Sequence, residues 1–204
     1  MSTLTTLRTT LRTDLHDDGS ERWTNAELDR AIQRAVERYQ EAKPQDKTKD
    51  LTALADTYVY ALTGGDAIAD LISIERVEYP AGQNPPSYVP WELMGTTLRL
   101  FPTAAPAAGE TIRLHYAATH LVDAAGSTIP GPDERIVLLG AAGFATQAWA
   151  LYAVNRVNVS SFTQKEMDMF SYRRLQDFYK ALSDLRRERT QRAGSTAALT
   201  GYEV

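Results

Sequence analysis

The feature that most constrains this chain is an uncharged stretch of 20 residues, 136–155, bounded by Arg135 and Arg156. A helix of that length could cross a bilayer. The stretch is rich in glycine and alanine and contains Thr146 and Gln147, however, so its apolar transfer energy is small. The two flanking arginines give no charge bias between its ends. We therefore interpret it as a buried central helix whose small residues let neighbouring elements approach closely.

The composition of the chain narrows the classes of function that it can have. Of its 204 residues, 43% are hydrophobic and 24% are charged, which is typical of a globular protein. It contains no cysteine, which excludes disulfides, thiolate metal ligands and thiol nucleophiles and fits a reducing cytosol. The N-terminus lacks a basic region followed by an apolar run, so no signal peptide is predicted. The net charge of −4 is unlike that of a dedicated DNA-binding domain, which is usually basic.

Amphipathic periodicity and capping signals predict four helices. They span about residues 3–15, 24–43, 133–157 and 163–192. Thr24 and Glu27 occupy the positions of a capping box, in which each side chain satisfies a backbone donor at the start of the second helix. Thr163 and Glu166 repeat that pattern and predict the start of the fourth helix.

The region between the second and third helices has the pattern of strands. Strands are predicted over residues 57–62, 71–79, 97–101 and 111–117, with a proline-rich loop over 80–90. The last two strands are expected to pair as a hairpin. The predicted fold is mainly α with a β-rich insertion at about 55–120: an antiparallel bundle of about four helices plus a small antiparallel sheet or hairpin. Residues 1–192 are expected to form a single domain, followed by a flexible C-terminal arm, 193–204.

No residue pattern in the chain predicts catalysis, a cofactor or a metal. The three histidines, His16, His115 and His120, lack the spacing of metal ligands. Glu75 and Glu78 fall on opposite faces of an extended strand, which prevents them from acting as an acid–base pair. The sequence has neither a glycine-rich phosphate loop nor a nucleophile elbow. We therefore expect a protein that is not an enzyme and that binds no cofactor and no metal.

A column of arginines on the second helix is a candidate interaction surface. Arg30, Arg34 and Arg38 are spaced by four residues and share one face of the helix, with Glu37 and Glu41 beside them. Two interpretations remain open. The column is either a solvated face with internal salt bridges or a charged seam between subunits.

Three stretches carry a resemblance to a known family. Residues 22–39 (RWTNAELDRAIQRAVERY) follow an N-terminal helix and a short acidic turn. Residues 112–145 lead from a strand through a proline-rich turn into an Ala/Gly-rich helix, and a long helix with charged faces closes the chain. In this order of elements the chain resembles the head-to-tail connector (adaptor) family of tailed bacteriophages and gene-transfer agents.

The resemblance implies a structural protein of the virion, located at the head–tail interface and made in the cytoplasm of the host bacterium. It also implies a ring of copies, commonly a dodecamer, docked under the portal protein and contacting a stopper or tail-completion protein. Genome DNA would pass through the ring without specific binding, and no membrane would be involved. The alternative is a small helical regulatory or nucleic-acid-binding module, which would not assemble on a portal.

Two groups of residues near the C-terminus are candidate contacts with the portal. The first group is the basic end of the fourth predicted helix: Arg186, Arg187, Arg189 and Arg192. Cations at that position also complement the helix dipole, which is the alternative explanation for them. The second group is Leu199 and Tyr202 in the arm, which could anchor it by adding to a sheet edge or filling a groove on a partner.

Overall fold

The computed structural model describes the backbone of residues 2–154 and 161–197 and the side chains of residues 2–152 and 165–191. The chain divides into two compact units. The helical unit consists of Met1–Lys43 and His120–Val204, and the β unit consists of Pro44–Thr119. Each unit has its own hydrophobic core. None of the helices within the described residues is long and apolar enough to cross a membrane.

The helical unit has one central helix. Its described residues form α1 (Leu4–Asp14), α2 (Asn25–Ala42), α3 (Gly131–Val154) and α4 (Ser161–Ala197). α3 packs against each of the other three, and residues of the uncharged stretch, including Val137, Ala141 and Phe144, lie in the core of this unit. α2 begins after Thr24, and the capping box with Glu27 forms as predicted. α4 is described from Ser161 onward, and the side chain of Thr163, on which the second predicted capping box depends, lies outside the described residues.

Two glycines allow α4 to approach α3 closely. A Cβ atom at Gly140 would lie 2.8 Å from the ring of Phe178, and one at Gly143 would lie 2.8 Å from the side chain of Leu175. Phe178 is fully buried and meets Phe144 edge-to-face, with ring centroids 6.0 Å apart. The small residues of α3 therefore admit large side chains from α4, as the sequence predicted.

The β unit, all of which the structure describes, contains two three-stranded antiparallel sheets. In sheet A the order is β1 (Gln45–Thr52), β6 (Thr111–Ala118), β3 (Leu71–Glu78). In sheet B the order is β2 (Val59–Ala61), β5 (Thr97–Leu100), β4 (Trp91–Met94). Alternate residues of the central strands, including Ile112 and Leu114 of β6 and Leu98 and Leu100 of β5, are buried in one shared core.

The fold class predicted from the sequence, a mainly α helix bundle with a small sheet or hairpin, is wrong. The described residues form four α-helices and two three-stranded antiparallel sheets, so the fold is mixed α and β. One reason is β1, which reads QDKTKDLT and has Leu51 as its only apolar residue. Such a strand is tolerated at the edge of a sheet, where one side faces solvent, but it gives no alternating apolar pattern.

The hairpin expected between residues 97–101 and 111–117 does not form. β5 pairs with β2 and β4 in sheet B, whereas β6 pairs with β1 and β3 in sheet A. In both strands buried residues alternate with more exposed ones, because both strands turn one face to the same core. Alternation identifies a strand and its buried face, but it carries no information about which strand is the neighbour.

Candidate functional site

The histidines do not meet in a common site. His16 lies in the turn after α1. His115 lies in sheet A, with Nε2 3.5 Å from Oε2 of the buried Glu78. His120 lies where the chain re-enters the helical unit. Within the part of the chain that the structure describes, no group of three or more His, Asp or Glu side chains is placed to hold a metal ion.

A polar cluster joins the end of α2 to the start of α3. The hydroxyl of Tyr39 and Nζ of Lys43 both donate to Oδ2 of Asp133, each at 2.6 Å. The ring of His120 lies between two further groups: its Nε2 is 3.0 Å from the carbonyl oxygen of Lys43, and its Nδ1 is 3.1 Å from Oγ1 of Thr128. The cluster therefore holds the two points at which the chain leaves and re-enters the helical unit.

Burial and hydrogen bonding set the ionisation of this cluster. Burial raises the pKa of Asp133, but the hydrogen bonds from Lys43 and Tyr39 outweigh it and hold the pKa below its ordinary value. Burial, together with the bond to Asp133, raises the pKa of the Tyr39 hydroxyl. Burial lowers the pKa of His120, which favours the neutral ring. These groups bond one another, which is the arrangement of a structural cluster.

The arginine column predicted on α2 lies on an exposed face of the helical unit. Arg38 pairs with Glu41 at 2.8 Å, which supports the salt-bridged interpretation for one member. The guanidinium of Arg34 stacks on the ring of Phe144, 4.2 Å from its centroid. Within the described part of the chain, neither Arg30 nor Arg34 has a carboxylate at ion-pair distance.

The column borders a groove of about 390 Å³ between α2 and α3. Its walls combine arginines with aromatic rings: Arg22, Arg30, Arg34, Trp23, Phe144, Trp149 and Tyr152. The one acid in the groove, Glu27, is engaged in the capping box, where hydrogen bonds from Thr24 lower its pKa. The groove is therefore a positively charged, partly apolar surface, and the sequence pattern of α2 predicted only its charged side.

The basic end of α4 is partly described. Nη2 of Arg186 lies 3.6 Å from Oε2 of Glu41. This contact joins a candidate portal residue of α4 to a candidate inter-subunit residue of α2. Arg187 lies 3.9 Å from Asp184 on the same helix. The side chain of Arg192, and all of Leu199 and Tyr202, lie outside the described residues.

Several large apolar side chains of the β unit are exposed, which was not predicted from the sequence. They include Leu54, Tyr58, Val59, Met94 and Phe101. A cleft of about 660 Å³ lies at the start of β2, between residues 56–59 and 99–102. The segment TYVYAL contained the signal, because its apolar residues occupy both faces of a short strand and only one face can be buried.

The chain matches a known protein family. A family model described as SU10 adaptor protein matches residues 2–200, which include both units. That family is a phage head–tail adaptor family. No curated protein matches the chain.

Proposed function

Since the chain belongs to the SU10 adaptor protein family, we propose that it works as a ring of copies, docked beneath the portal of a tailed bacteriophage. The family is structural, and its place is the phage particle. The match over residues 2–200 is the observation that carries this proposal. We further propose that the ring is a dodecamer and that its far side receives a stopper or tail-completion protein.

The exposed column on α2 supports a contact between copies. A closed ring needs heterologous interfaces, in which one surface of a subunit meets a different surface of the next. Arg30 and Arg34 provide two guanidinium groups beside an aromatic groove, and neither has a carboxylate at ion-pair distance within the described residues. We propose that this surface, with Arg38, Glu37 and Glu41, lies against the neighbouring copy.

The test of the ring is assembly in the presence of portal. Native mass spectrometry and negative-stain imaging of the full chain, with and without portal protein, should show rings or portal-bound rings. Replacing both Arg30 and Arg34 with Glu should reduce the ring fraction about tenfold or more, equivalent to about 1.4 kcal/mol. The exposed Arg173 and Lys180 give a matched control, because replacing both with Glu makes the same change of charge on another helix. A chain that stays monomeric and never joins portal would refute the proposal.

The basic end of α4 is our proposed contact with the portal. Arg186, Arg187, Arg189 and Arg192 would face acidic portal surface, and Leu199 and Tyr202 would anchor the segment that follows α4. The arm was predicted to begin at residue 193, but α4 continues to Ala197, so truncation after Ala197 is the cut that keeps all the described residues of the helix. The truncated chain should retain its melting temperature and lose affinity for portal. Full portal affinity after truncation would remove the anchoring role of the last seven residues.

The acidic balance of the chain supports a conduit for DNA. The net charge is −4, and residues 51–160 hold 5 basic against 10 acidic side chains. A channel that gripped phosphates would resist the passage of the genome, because each contact releases counterions and is costly to break at low salt. We expect no measurable binding of the free chain to duplex DNA near physiological salt in a mobility-shift assay. Tight, salt-sensitive binding would favour the nucleic-acid-binding alternative.

A further inference from the structure

Sheet B has two open edges. Its central strand, β5, is paired on both sides, while β2 and β4 are each paired on one side only. Just before β4, Ser87 and Val89 bond to β3 on the side that faces away from β5, and this bonding ends before Trp91. The backbone N–H of Leu100 donates to the carbonyl oxygen of Tyr58, and that of Leu62 donates to Thr96. Because bonding alternates along an antiparallel pair, the backbone groups of Val59 and Ala61 point away from β5.

The edge formed by β4 has the same property. The N–H of Phe101 donates to the carbonyl oxygen of Pro90. Because bonding alternates along the pair, Glu92 and Met94 are the residues of β4 whose backbone groups face β5. The backbone groups of Trp91 and Leu93 therefore point away from β5. In the described structure, these outward groups make no backbone hydrogen bond. Each edge presents donors and acceptors to an incoming strand.

Exposed apolar side chains mark both edges on the same face of the sheet. Val59 pairs with Arg99, which pairs with Glu92, while Ala61 pairs with Thr97, which pairs with Met94. Residues that are directly opposite in a sheet share a face. Val59 and Met94 are therefore on one face, and they are 45% and 68% exposed. Each edge strand therefore carries one large apolar side chain that is partly exposed to solvent.

We infer that β2 of one copy pairs with β4 of the next copy, so that sheet B continues from subunit to subunit. The inference rests on the ring proposed above. The two edges lie on opposite sides of one sheet, so joining them gives a head-to-tail contact, which is the kind that closes a ring. The pairing satisfies the outward groups of both strands and places Val59 beside Met94. A second copy is the one partner that always carries the complementary edge.

The direction and size of the contact follow from the topology. β2 and β4 both run antiparallel to β5, so they are parallel to each other. Neighbours related by a small rotation keep that direction, and the new pair is therefore parallel. The pair involves strands of only three and four residues. The area that it buries is therefore far smaller than the roughly 1,200 Å² of a stable interface. The contact therefore forms where other surfaces already hold copies side by side.

The natural absence of cysteine allows a direct test of this pairing. The variant Ala61→Cys/Met94→Cys, and the register variant Val59→Cys/Met94→Cys, are assembled on portal and oxidised mildly. Disulfides need Cα atoms about 4.4–6.8 Å apart, so only adjoining edges react. We expect a ladder of covalent multimers on a non-reducing gel. Each single-cysteine variant should stay monomeric, whereas a symmetric β2–β2 contact would cross-link Ala61→Cys alone and overturn the inference.

A second arm blocks the edge. Lysine on an edge strand discourages pairing with another chain. Ala61→Lys should reduce the ring fraction about tenfold, and Thr97→Lys should change it less than about twofold, because Thr97 is the exposed cross-strand partner on the central strand. Equal melting temperatures confirm that both variants fold. Rings that form without a ladder, and equally with either lysine, refute the edge pairing and leave the ring intact. Failure of the wild-type chain to form rings on portal refutes the proposed function as well.

Discussion

The helical unit and the β unit each contain an Arg–Asp ion pair, and the two pairs differ in their exposure to solvent. In the helical unit Arg12 donates to Asp17 at 2.7 Å in the interior, and the Asp17 side chain is only 2% exposed. The corresponding pair of the β unit, Arg113 and Asp50, is also joined by two hydrogen bonds but lies at the surface. The helical unit therefore uses ion pairing to fix its interior geometry. The Arg113–Asp50 pair of the β unit lies in water, where screening makes it weak.

The two units also differ in what they leave unsatisfied. In the helical unit α3 is enclosed by three helices, and its glycines receive the side chains of α4. In the β unit, two strands of sheet B have an unpaired side, and large apolar residues are exposed there. The central helix of the helical unit therefore has its packing partners within that unit, whereas the β unit retains backbone bonding capacity that a neighbour can use.

The largest expected effect tests the close packing of α3 and α4. Phe178→Ala removes a fully buried ring that fills the space above Gly140, so the free energy of unfolding should fall by about 3–5 kcal/mol. Denaturant unfolding followed by circular dichroism measures it. The adjacent, half-exposed Tyr179 is the control, and Tyr179→Ala should cost less than about 1 kcal/mol. Similar losses for both variants would mean that this packing is not what holds the unit.

The next effect compares the buried and the exposed ion pair. Asp17→Ala leaves Arg12 without its partner in the interior and also frees backbone N–H groups of the following turn, so we expect a loss of about 3 kcal/mol or more. Asp50→Ala removes the equivalent carboxylate at the surface of the β unit. Its melting temperature should be close to that of the wild type. If the two substitutions lower the melting temperature equally, the contrast between the units is wrong.

A pH titration tests the polar cluster around His120. Burial lowers the pKa of His120 in the folded state, so the unfolded chain binds more protons once the pH falls below the ordinary imidazole value of about 6.5. The stability of the wild type should therefore decrease as the pH falls from 7 toward 5. His120→Gln should flatten that slope while a further loss appears near pH 4, where the lowered pKa of Asp133 makes its protonation destabilising. An unchanged slope would show that His120 is not the titrating group.

The smallest expected effect distinguishes the stacking of Arg34 within the chain from its proposed contact with a neighbouring copy. Arg34→Ala removes the stacking on Phe144 and should reduce the free energy of unfolding by only about 0.5–1 kcal/mol. Arg34→Lys keeps the charge but loses the planar group, and should behave similarly in unfolding. If Arg34 also contacts a neighbouring copy, the ring fraction on portal should fall with Ala more than with Lys. Equal ring fractions in both variants would limit Arg34 to its role within the chain.

Local signals in the sequence predicted the helices better than the sheets. The capping box of Thr24 and Glu27 is a contact between residues three apart, so it can be read directly from the chain. The uncharged stretch around Gly140 and Gly143 likewise predicted close packing, because small side chains permit few other arrangements. Both predictions depend on residues that are near in sequence, and both are confirmed.

The predicted fold class was wrong because strands that pair in a sheet are far apart in the sequence. Gln45 pairs with Ala118, and the polar sequence of β1 contains no pattern that predicts this partner. The same limitation applies to the candidate surfaces. The column on α2 follows from helical periodicity, but the contact of Arg34 with Phe144 and that of Arg186 with Glu41 depend on tertiary structure. Sheet edges could not be predicted, because an edge is defined by a neighbour that is absent.

The position at which the β unit joins the chain has an evolutionary consequence. The chain leaves the helical unit at Lys43 and returns at His120, whose ring nitrogen is 3.0 Å from the carbonyl oxygen of Lys43. Two ends held so close can be joined by a short turn, so the geometry allows the 76 residues of Pro44–Thr119 to be exchanged as one piece. A phage lineage can lengthen, replace or delete such a piece by recombination without disturbing the helices around α3. Diversity among relatives should therefore concentrate in this insert, while the flanking segments change slowly.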